Sequence, residues 1–385
     1  MALMKKLLSE PYHERNIHDV SLSPAQLFTE PTEKHLAKPR AFQGIPGIER
    51  TKEGRLFATW YMGGLDEGPE NYVHIVRSDD NGLTWSEPIA VVDPQGPVRA
   101  YDPMLWIDPR GRLWFFWAQS YDWYNGRAGV FFSRCDEPDA NSMEWTLPIR
   151  IANGVLMNKP TIRSNGEWLF PVAVWESEQP RLPELKEERK SNVLVSSDEG
   201  KTFFIRGGAD IPHRSFDEHM IVEKEDGTLW MLVRTKYGIG QSFSRDGGAN
   251  WSSGSPTDIN GPSSRFFIRR LGSNRLLLIN HYEFTKRSHL HALLSDDDGR
   301  TWPHRLLLDG RNDVSYPDAA IDVGGRIYII YDRERKGARE ILMASVTEED
   351  ILAGEVKSKE SFLSRVVDEA SRLEIRPPIS ACCID

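Results

Sequence analysis

One eight-residue pattern, Ser-x-Asp-x-Gly-x-Thr-Trp, recurs along the chain and limits what it can fold into more than any other feature. It stands in full at Ser78-Asp-Asp80-Asn-Gly82-Leu-Thr84-Trp85 and at Ser295-Asp-Asp297-Asp-Gly299-Arg-Thr301-Trp302. Variants occur at Ser196-Ser-Asp198-Glu-Gly200-Lys-Thr202-Phe203 and Ser244-Arg-Asp246-Gly-Gly248-Ala-Asn250-Trp251. The last three Asp positions are 48 and 51 apart, while Asp80 and Asp198 are 118 apart, which leaves room for a lost copy between them. The segment from Phe132 to Trp145 has the look of that degenerate copy. A fixed period of this size marks a repeat architecture. In each copy the Asp carboxylate can accept backbone N–H groups of its own turn, the Gly supplies a positive φ, and the Thr and Trp open the next strand. These carboxylates therefore read as scaffold rather than as catalysts or metal ligands.

Between the turns lie six short apolar runs, at residues 55–61, 112–118, 168–175, 228–234, 275–280 and 326–331, each preceded by a Gly or Asn turn. They recur about every 45 to 60 residues, the length of a four-stranded propeller blade. Six blades closed into a ring leave no free sheet edge. The expected fold is all-β: a six-bladed β-propeller of four-stranded antiparallel blades with a short helical C-terminal segment. Residues 1–38 are expected to pack on the propeller as an extension, 39–350 to form it, and 351–385 to add helix and a tail. Helical candidates are residues 346–352 and 359–373.

Composition narrows the function. A formal charge of −9 with no block of Lys/Arg removes the electrostatic footprint of a nucleic-acid binder. Three cysteines (Cys135, Cys382, Cys383) in 385 residues cannot staple a small disulfide fold. No apolar run suggests a secretory leader or a membrane span, so a cytoplasmic location is expected, with no membrane partner. His289 and His291 share one strand face near His281, but no third ligand is fixed by spacing, so no metal and no cofactor are expected.

In a propeller the innermost strands converge on the axis, and their starts line a funnel. Those starts read Gln43-Gly-Ile-Pro46, Tyr101-Asp102-Pro103, Asn158-Lys159-Pro160, Asp217-Glu218-His219, Ser263-Ser-Arg265 and Ser315-Tyr316-Pro-Asp318. Gln43, Asp102, Lys159, His219 and Arg265 are the expected substrate contacts among them. A carboxylate, cations and a tyrosine gathered at one mouth suit sugar recognition and glycosyl transfer.

Over residues 40 to 345 the chain resembles the bacterial sialidase (exo-α-neuraminidase) family, a six-bladed propeller with such Asp boxes. In that family a Glu is followed sixteen residues later by an Arg, as Glu218 and Arg234 are here. A further Arg opens a strand leading into a box and precedes a nucleophilic Tyr, as Arg287 precedes Tyr316. The family's acid/base Asp precedes the first box's Ser by twelve, which selects Asp66, with Glu67 beside it. The resemblance thus implies Tyr316 as nucleophile activated by Glu218, Asp66 as acid/base, and Arg234 and Arg287 as the clamp for the substrate's acid group, with Arg265 a further cation. The chain departs from the family where an Arg-Ile-Pro motif supplies the first arginine of that clamp: it reads Gly44-Ile45-Pro46. Either Lys159 or Arg99 substitutes, or the substrate carries its acid group elsewhere, or it carries none.

The implied activity is that of a retaining exo-glycosidase removing a terminal acidic sugar, sialic or another ulosonic or uronic residue, from an oligosaccharide or glycoconjugate. Two rivals belong to other classes: a propeller polysaccharide lyase, with Tyr316, His219 or His281 as the base that removes the proton α to a uronate carboxylate, and a carbohydrate-binding propeller without catalysis.

Overall fold

The computed structural model describes residues 20–36, 38–176 and 182–371. They form six antiparallel sheets in a ring, five of four strands and a first of five. The innermost strands, in order, are Gln43–Arg50, Val98–Ile107, Thr161–Ile162, Arg214–Glu223, Phe267–Arg270 and Val314–Ile321. The six apolar runs seen in the sequence become the second strands: Leu56–Met62, Leu113–Tyr121, Trp168–Ala173, Leu229–Thr235, Leu276–Asn280 and Ile327–Arg333. They are buried on both faces because each blade is sandwiched between two others. The extra strand of the first blade, Leu27–Phe28, pairs along Val91 and Val92 at the rim.

Every box turns the chain from a third strand to a fourth, as its residue types require. Asp297 accepts the Thr301 backbone N–H at 2.8 Å, the Thr301 hydroxyl at 2.6 Å and the Ser295 hydroxyl at 2.8 Å, and Asp80 repeats this pattern with Thr84 and Ser78. These hydrogen bonds, with Thr84 first among the donors, hold the Asp80 carboxyl down at about 2. The glycines do a second job: a Cβ on Gly299 would lie 2.5 Å from Trp230 of the preceding blade, and one on Gly200 would lie 2.4 Å from Trp114. At these two turns glycine is demanded both for its positive φ and for the closeness of the preceding blade. In the second blade the degenerate copy occupies the equivalent turn, with Ser133 and Arg134 bonded to Thr146. In the sixth blade a short helix, Glu348–Ala353, stands there, and Asp350 gathers the Thr347, Lys357 and Ser358 N–H groups.

The helix expected over 359–373 is corrected. Residues Phe362–Glu369 are the outer strand of the sixth blade, paired with Glu340–Val346, because that sheet needs its fourth strand and the pairing overrides local propensity. This strand also closes the ring. Ser371 bridges to Pro39, Arg40 pairs with Asp368, and the Gln43 amide donates to the Arg339 carbonyl at 2.5 Å and to Asp368 at 3.0 Å. Gln43, expected at the substrate, is instead a closure residue, fully buried between the first and last blades. Residues 1–19 of the expected N-terminal extension, the tail from 372 and Cys382 and Cys383 lie outside the described residues. No helix among the described residues is long and apolar enough to cross a membrane.

Candidate active site

Four inner strands share one local device. Their pairing with the second strand slips between Gly44 and Gly47, Tyr101 and Met104, Asp217 and Met220, and Ser315 and Asp318. In each slip a non-glycine residue takes a positive φ: Ile45 (60°), Asp102 (47°), Glu218 (41°) and Tyr316 (56°). A left-handed residue in a bulge costs about 1–2 kcal/mol and re-aims its side chain. Proline follows three of the four, at Pro46, Pro103 and Pro317, where its missing N–H is not needed for pairing. The ring of bulges therefore throws Asp102, Glu218 and Tyr316 toward one mouth of the axis, and the strain collects where function is expected.

At that mouth the Tyr316 hydroxyl donates to Glu218 Oε1 at 2.6 Å. Arg234 Nη1 donates to the same Glu218 oxygen at 2.6 Å and to the Tyr316 oxygen at 2.7 Å. Arg234 is itself fixed by Ser263 Oγ at 3.1 Å. Burial, reinforced by the charge of Glu218, pushes the Tyr316 phenol up to about 12 against the opposing arginines. The phenol at rest is therefore neutral, and a base in contact with it is needed for attack. Glu218 Oε2 is buried without a hydrogen-bond partner. The Arg287 guanidinium stands over the Tyr316 ring, 5.2 Å from its centroid, and donates to Ser263 O at 3.3 Å.

Asp102 comes to the same mouth. Burial, and then the charges of Glu67 and Glu218, raise its carboxyl to about 8, so it carries its proton at neutrality. Beside it lie Arg99 and an aromatic wall of Trp123, Trp175 and Phe216, with ring centroids 5.2–6.4 Å apart. Arg99 packs 3.8 Å from the Tyr101 ring, and Trp123 and Phe216 keep about two-fifths of their surface exposed.

On the loop after the second strand of the first blade the two neighbouring acids diverge. Asp66 is 54% exposed and turns outward to Lys336, which holds its carboxyl low despite partial burial. Glu67 turns inward, 3.8 Å from Arg99 and 3.9 Å from Arg335.

Besides Gln43, three expected contacts are not at the mouth. Lys159 is wholly buried on the axis, donating to the Ile48 and Leu105 carbonyls at 2.6 Å each and lying 3.1 Å from Asp318. Arg265, also fully buried, bonds Asn158 and the Pro46 and Met157 carbonyls. Both plug the channel, where converging bulges leave inward carbonyls that need donors. His219 gives its Nε2 to the Asn192 carbonyl at 2.8 Å, and burial drives it down to about 4, so it is neutral. His281 does the same with Val314 O at 2.7 Å. His289 stacks on Phe284, and no group of three metal-ligating side chains occurs among the described residues.

The residue that sequence reasoning missed is Arg335, on the loop after the second strand of the sixth blade. Its guanidinium lies 4.0 Å from the Tyr316 ring centroid, held by Asp332 at 2.8 Å and Ser315 at 3.3 Å. The one signal for it was the glycine at position 44, which lies under the Arg335 side chain.

Residues 54–329 match the BNR repeat-like domain family. A sialidase of Bacteroides fragilis (strain YCH46) is 23% identical over 333 residues, 75% of this chain and 59% of the relative. A sialidase of Micromonospora viridifaciens is 26% identical over 301 residues, 67% of this chain and 45% of its own length. The chain thus spans less than two thirds of either curated relative. Among solved structures, the Hadza microbial sialidase Hz136 superposes with a TM-score of 0.65 at 19% identity, covering 80% of this chain and 66% of that one, a likeness of fold. With the family match running from the first blade into the sixth and the box turns built as the repeats demand, the chain belongs to the BNR repeat-like domain family, in the bacterial sialidase superfamily.

Proposed function

We propose that the protein is a retaining exo-glycosidase that removes a terminal acidic sugar from an oligosaccharide or glycoconjugate, with Tyr316 as nucleophile. The observation that carries this reading is the triangle of Tyr316 Oη, Glu218 Oε1 and Arg234 Nη1, closed at 2.6, 2.6 and 2.7 Å. A tertiary anomeric carbon bearing a carboxylate repels an anionic nucleophile, whereas a neutral phenol that surrenders its proton during attack does not. In the first step Tyr316 Oη bonds to the anomeric carbon as its proton passes to Glu218 Oε1. The glycosidic C–O bond breaks, and the leaving oxygen takes a proton from Glu67. In the second step water attacks the same carbon, its proton returns to Glu67, and Glu218 returns the phenol proton as the Tyr316–sugar bond breaks. Two displacements retain the anomeric configuration. Glu67 is preferred to Asp66 because its carboxyl faces the arginine side of the mouth, while Asp66 is committed to Lys336. Arg234 and Arg287 bind the sugar's carboxylate. The aromatic wall offers an apolar face to the ring or its substituents.

The lyase reading is disfavoured by His219 and His281, both buried and bonded to backbone carbonyls. The test is a panel of aryl glycosides of sialic, other ulosonic, uronic and neutral sugars, followed by aglycone release, by NMR of the first-formed anomer and by near-ultraviolet absorbance. Release from an acidic sugar with retention, abolished in Tyr316→Phe, supports the proposal. An unsaturated product, turnover confined to neutral sugars, or no turnover of any glycoside overturns it.

A further inference from the structure

Arg335, from the sixth blade, reaches the Tyr316 ring beside Arg234 and Arg287. Arg335 is anchored at one end only: Nε donates to Asp332 Oδ2 at 2.8 Å and Nη2 to Ser315 Oγ at 3.3 Å. Among the described residues its Nη1 makes no hydrogen bond, and Glu67 Oε1 lies 3.9 Å from it. The anchor is rigid because Asp332 is fully buried and also accepts the Ser315 hydroxyl at 2.6 Å and the Ile45 backbone N–H at 2.8 Å. A guanidinium so held, 15% exposed and 4.0 Å from the Tyr316 ring, presents two N–H bonds to whatever lies on that ring.

The space for it is made at position 44. A Cβ there would lie 2.7 Å from both Cγ and Cδ of Arg335 and 2.9 Å from its Nε. Gly44 has no positive φ to explain it, so the glycine is required by this contact and not by its backbone. Any side chain at 44 displaces Arg335, and the two positions exclude one another.

Charge completes the argument. Arg99, Arg234, Arg287 and Arg335 converge here with Glu67, Glu218 and Asp332, and Asp102 holds its proton until about pH 8. Four arginines outnumber the facing carboxylates whether or not Glu67 carries the proton that its acid role requires, so a net positive charge surrounds Tyr316, the complement of a carboxylate. We infer that Arg335 is a specificity-determining residue: together with Arg234 and Arg287 it binds the carboxylate of the acidic sugar, in the space that Gly44 leaves open. This rests on the acidic-sugar reading above.

The experiment is titration calorimetry at pH 6.5 with two probes, N-acetylneuraminic acid and its C1 carboxamide, on the wild type and on Arg335→Gln, Arg335→Lys and Gly44→Ala. The wild type is expected to prefer the acid to the amide by at least tenfold. Arg335→Gln and Gly44→Ala should each cut acid affinity about tenfold or more and leave amide affinity within about twofold, a result that also certifies the folded site. Arg335→Lys should recover part of the preference. If the wild type prefers the acid and both Arg335→Gln and Gly44→Ala keep that preference, this inference falls and the acidic-sugar reading stands. If the wild type does not distinguish acid from amide, the acidic-sugar reading falls, and the inference with it.

Discussion

Replacing Asp102 by Asn should make the protein more stable as the pH rises while weakening its site. The folded carboxyl titrates near 8, first because it is buried and then because Glu67 and Glu218 stand near it. An unfolded Asp titrates near 3.9. The folded state therefore binds the proton more tightly. Stability from this group is fully present below about pH 4, declines by about 1.4 kcal/mol per pH unit above it, and levels off beyond about pH 8. Integrated for these two values, the carboxyl opposes folding by about 1–2 kcal/mol at pH 5 and about 4 kcal/mol at pH 7. Asparagine has nearly the shape of the protonated acid, tolerates the 47° φ of this position, and has no charge to lose. Urea unfolding of both proteins at pH 5, 6, 7, 8 and 9 should show the variant gaining on the wild type by about 2–3 kcal/mol between pH 5 and 7, with the gain flattening above about pH 8. The difference between the two proteins isolates this group together with its coupling to Glu67 and Glu218, because the remaining titrations are common to both. A stability difference that stays constant across this range would refute the reasoning, since it would mean that Asp102 ionises in the folded protein as it does in the unfolded one.

Glu67→Gln should lower kcat on an alkyl glycoside of the acidic sugar by about 10²- to 10⁴-fold and on its 4-nitrophenyl glycoside far less, because nitrophenolate leaves without a proton. Asp66→Asn should change both by less than about threefold, and the reverse pattern in steady-state kinetics would transfer the acid/base role to Asp66. Lys159→Met should destabilise the fold by about 3–5 kcal/mol in urea titration, because it leaves Asp318 and the Ile48 and Leu105 carbonyls buried without their cation. A stable variant with weakened substrate binding would instead return Lys159 to the substrate. Gly299→Ala, with a Cβ 2.5 Å from Trp230 and an 86° φ, should cost about 2 kcal/mol or more, read as a lowered unfolding midpoint.

The ring was legible in the sequence because its parts are local. A box carries its Asp acceptor, its Gly and its Thr donor within eight residues, so the turn can be read from adjacent letters, and the apolar runs mark the second strands that every blade buries. The outer strand Phe362–Glu369 was not legible, since nothing in its own pattern separates a strand from a helix. It is a strand because Glu340–Val346 would otherwise present an unpaired edge. Within the site, Glu218, Tyr316 and Asp102 were visible from the strand starts, where x-Pro pairs and their neighbours mark the bulges. Lys159 and Arg265 were misplaced by the same rule. A residue at a strand start points either to the mouth or into the axis, and a difference of two positions along the bulge, from Tyr316 to Asp318, decides which.

Arg335 escaped that reading because a propeller mouth is a place in space assembled from six separated segments, and a guanidinium can reach it from any blade beside the position it must occupy. Gly44 and Arg335 are far apart in sequence, yet the ring closure tied by Gln43, Arg339 and Asp368 brings the first and sixth blades side by side. The Gln43 backbone N–H donates to the Arg335 carbonyl itself at 3.2 Å. A side chain from one blade and a side chain from the next can then serve the same point, provided that the unused position is empty. Loss of an arginine from the first blade is therefore not by itself loss of a carboxylate site. What decides the matter is whether the vacated volume is lined by solvent, by an apolar side chain or by another cation, and here it holds a cation braced by a buried aspartate.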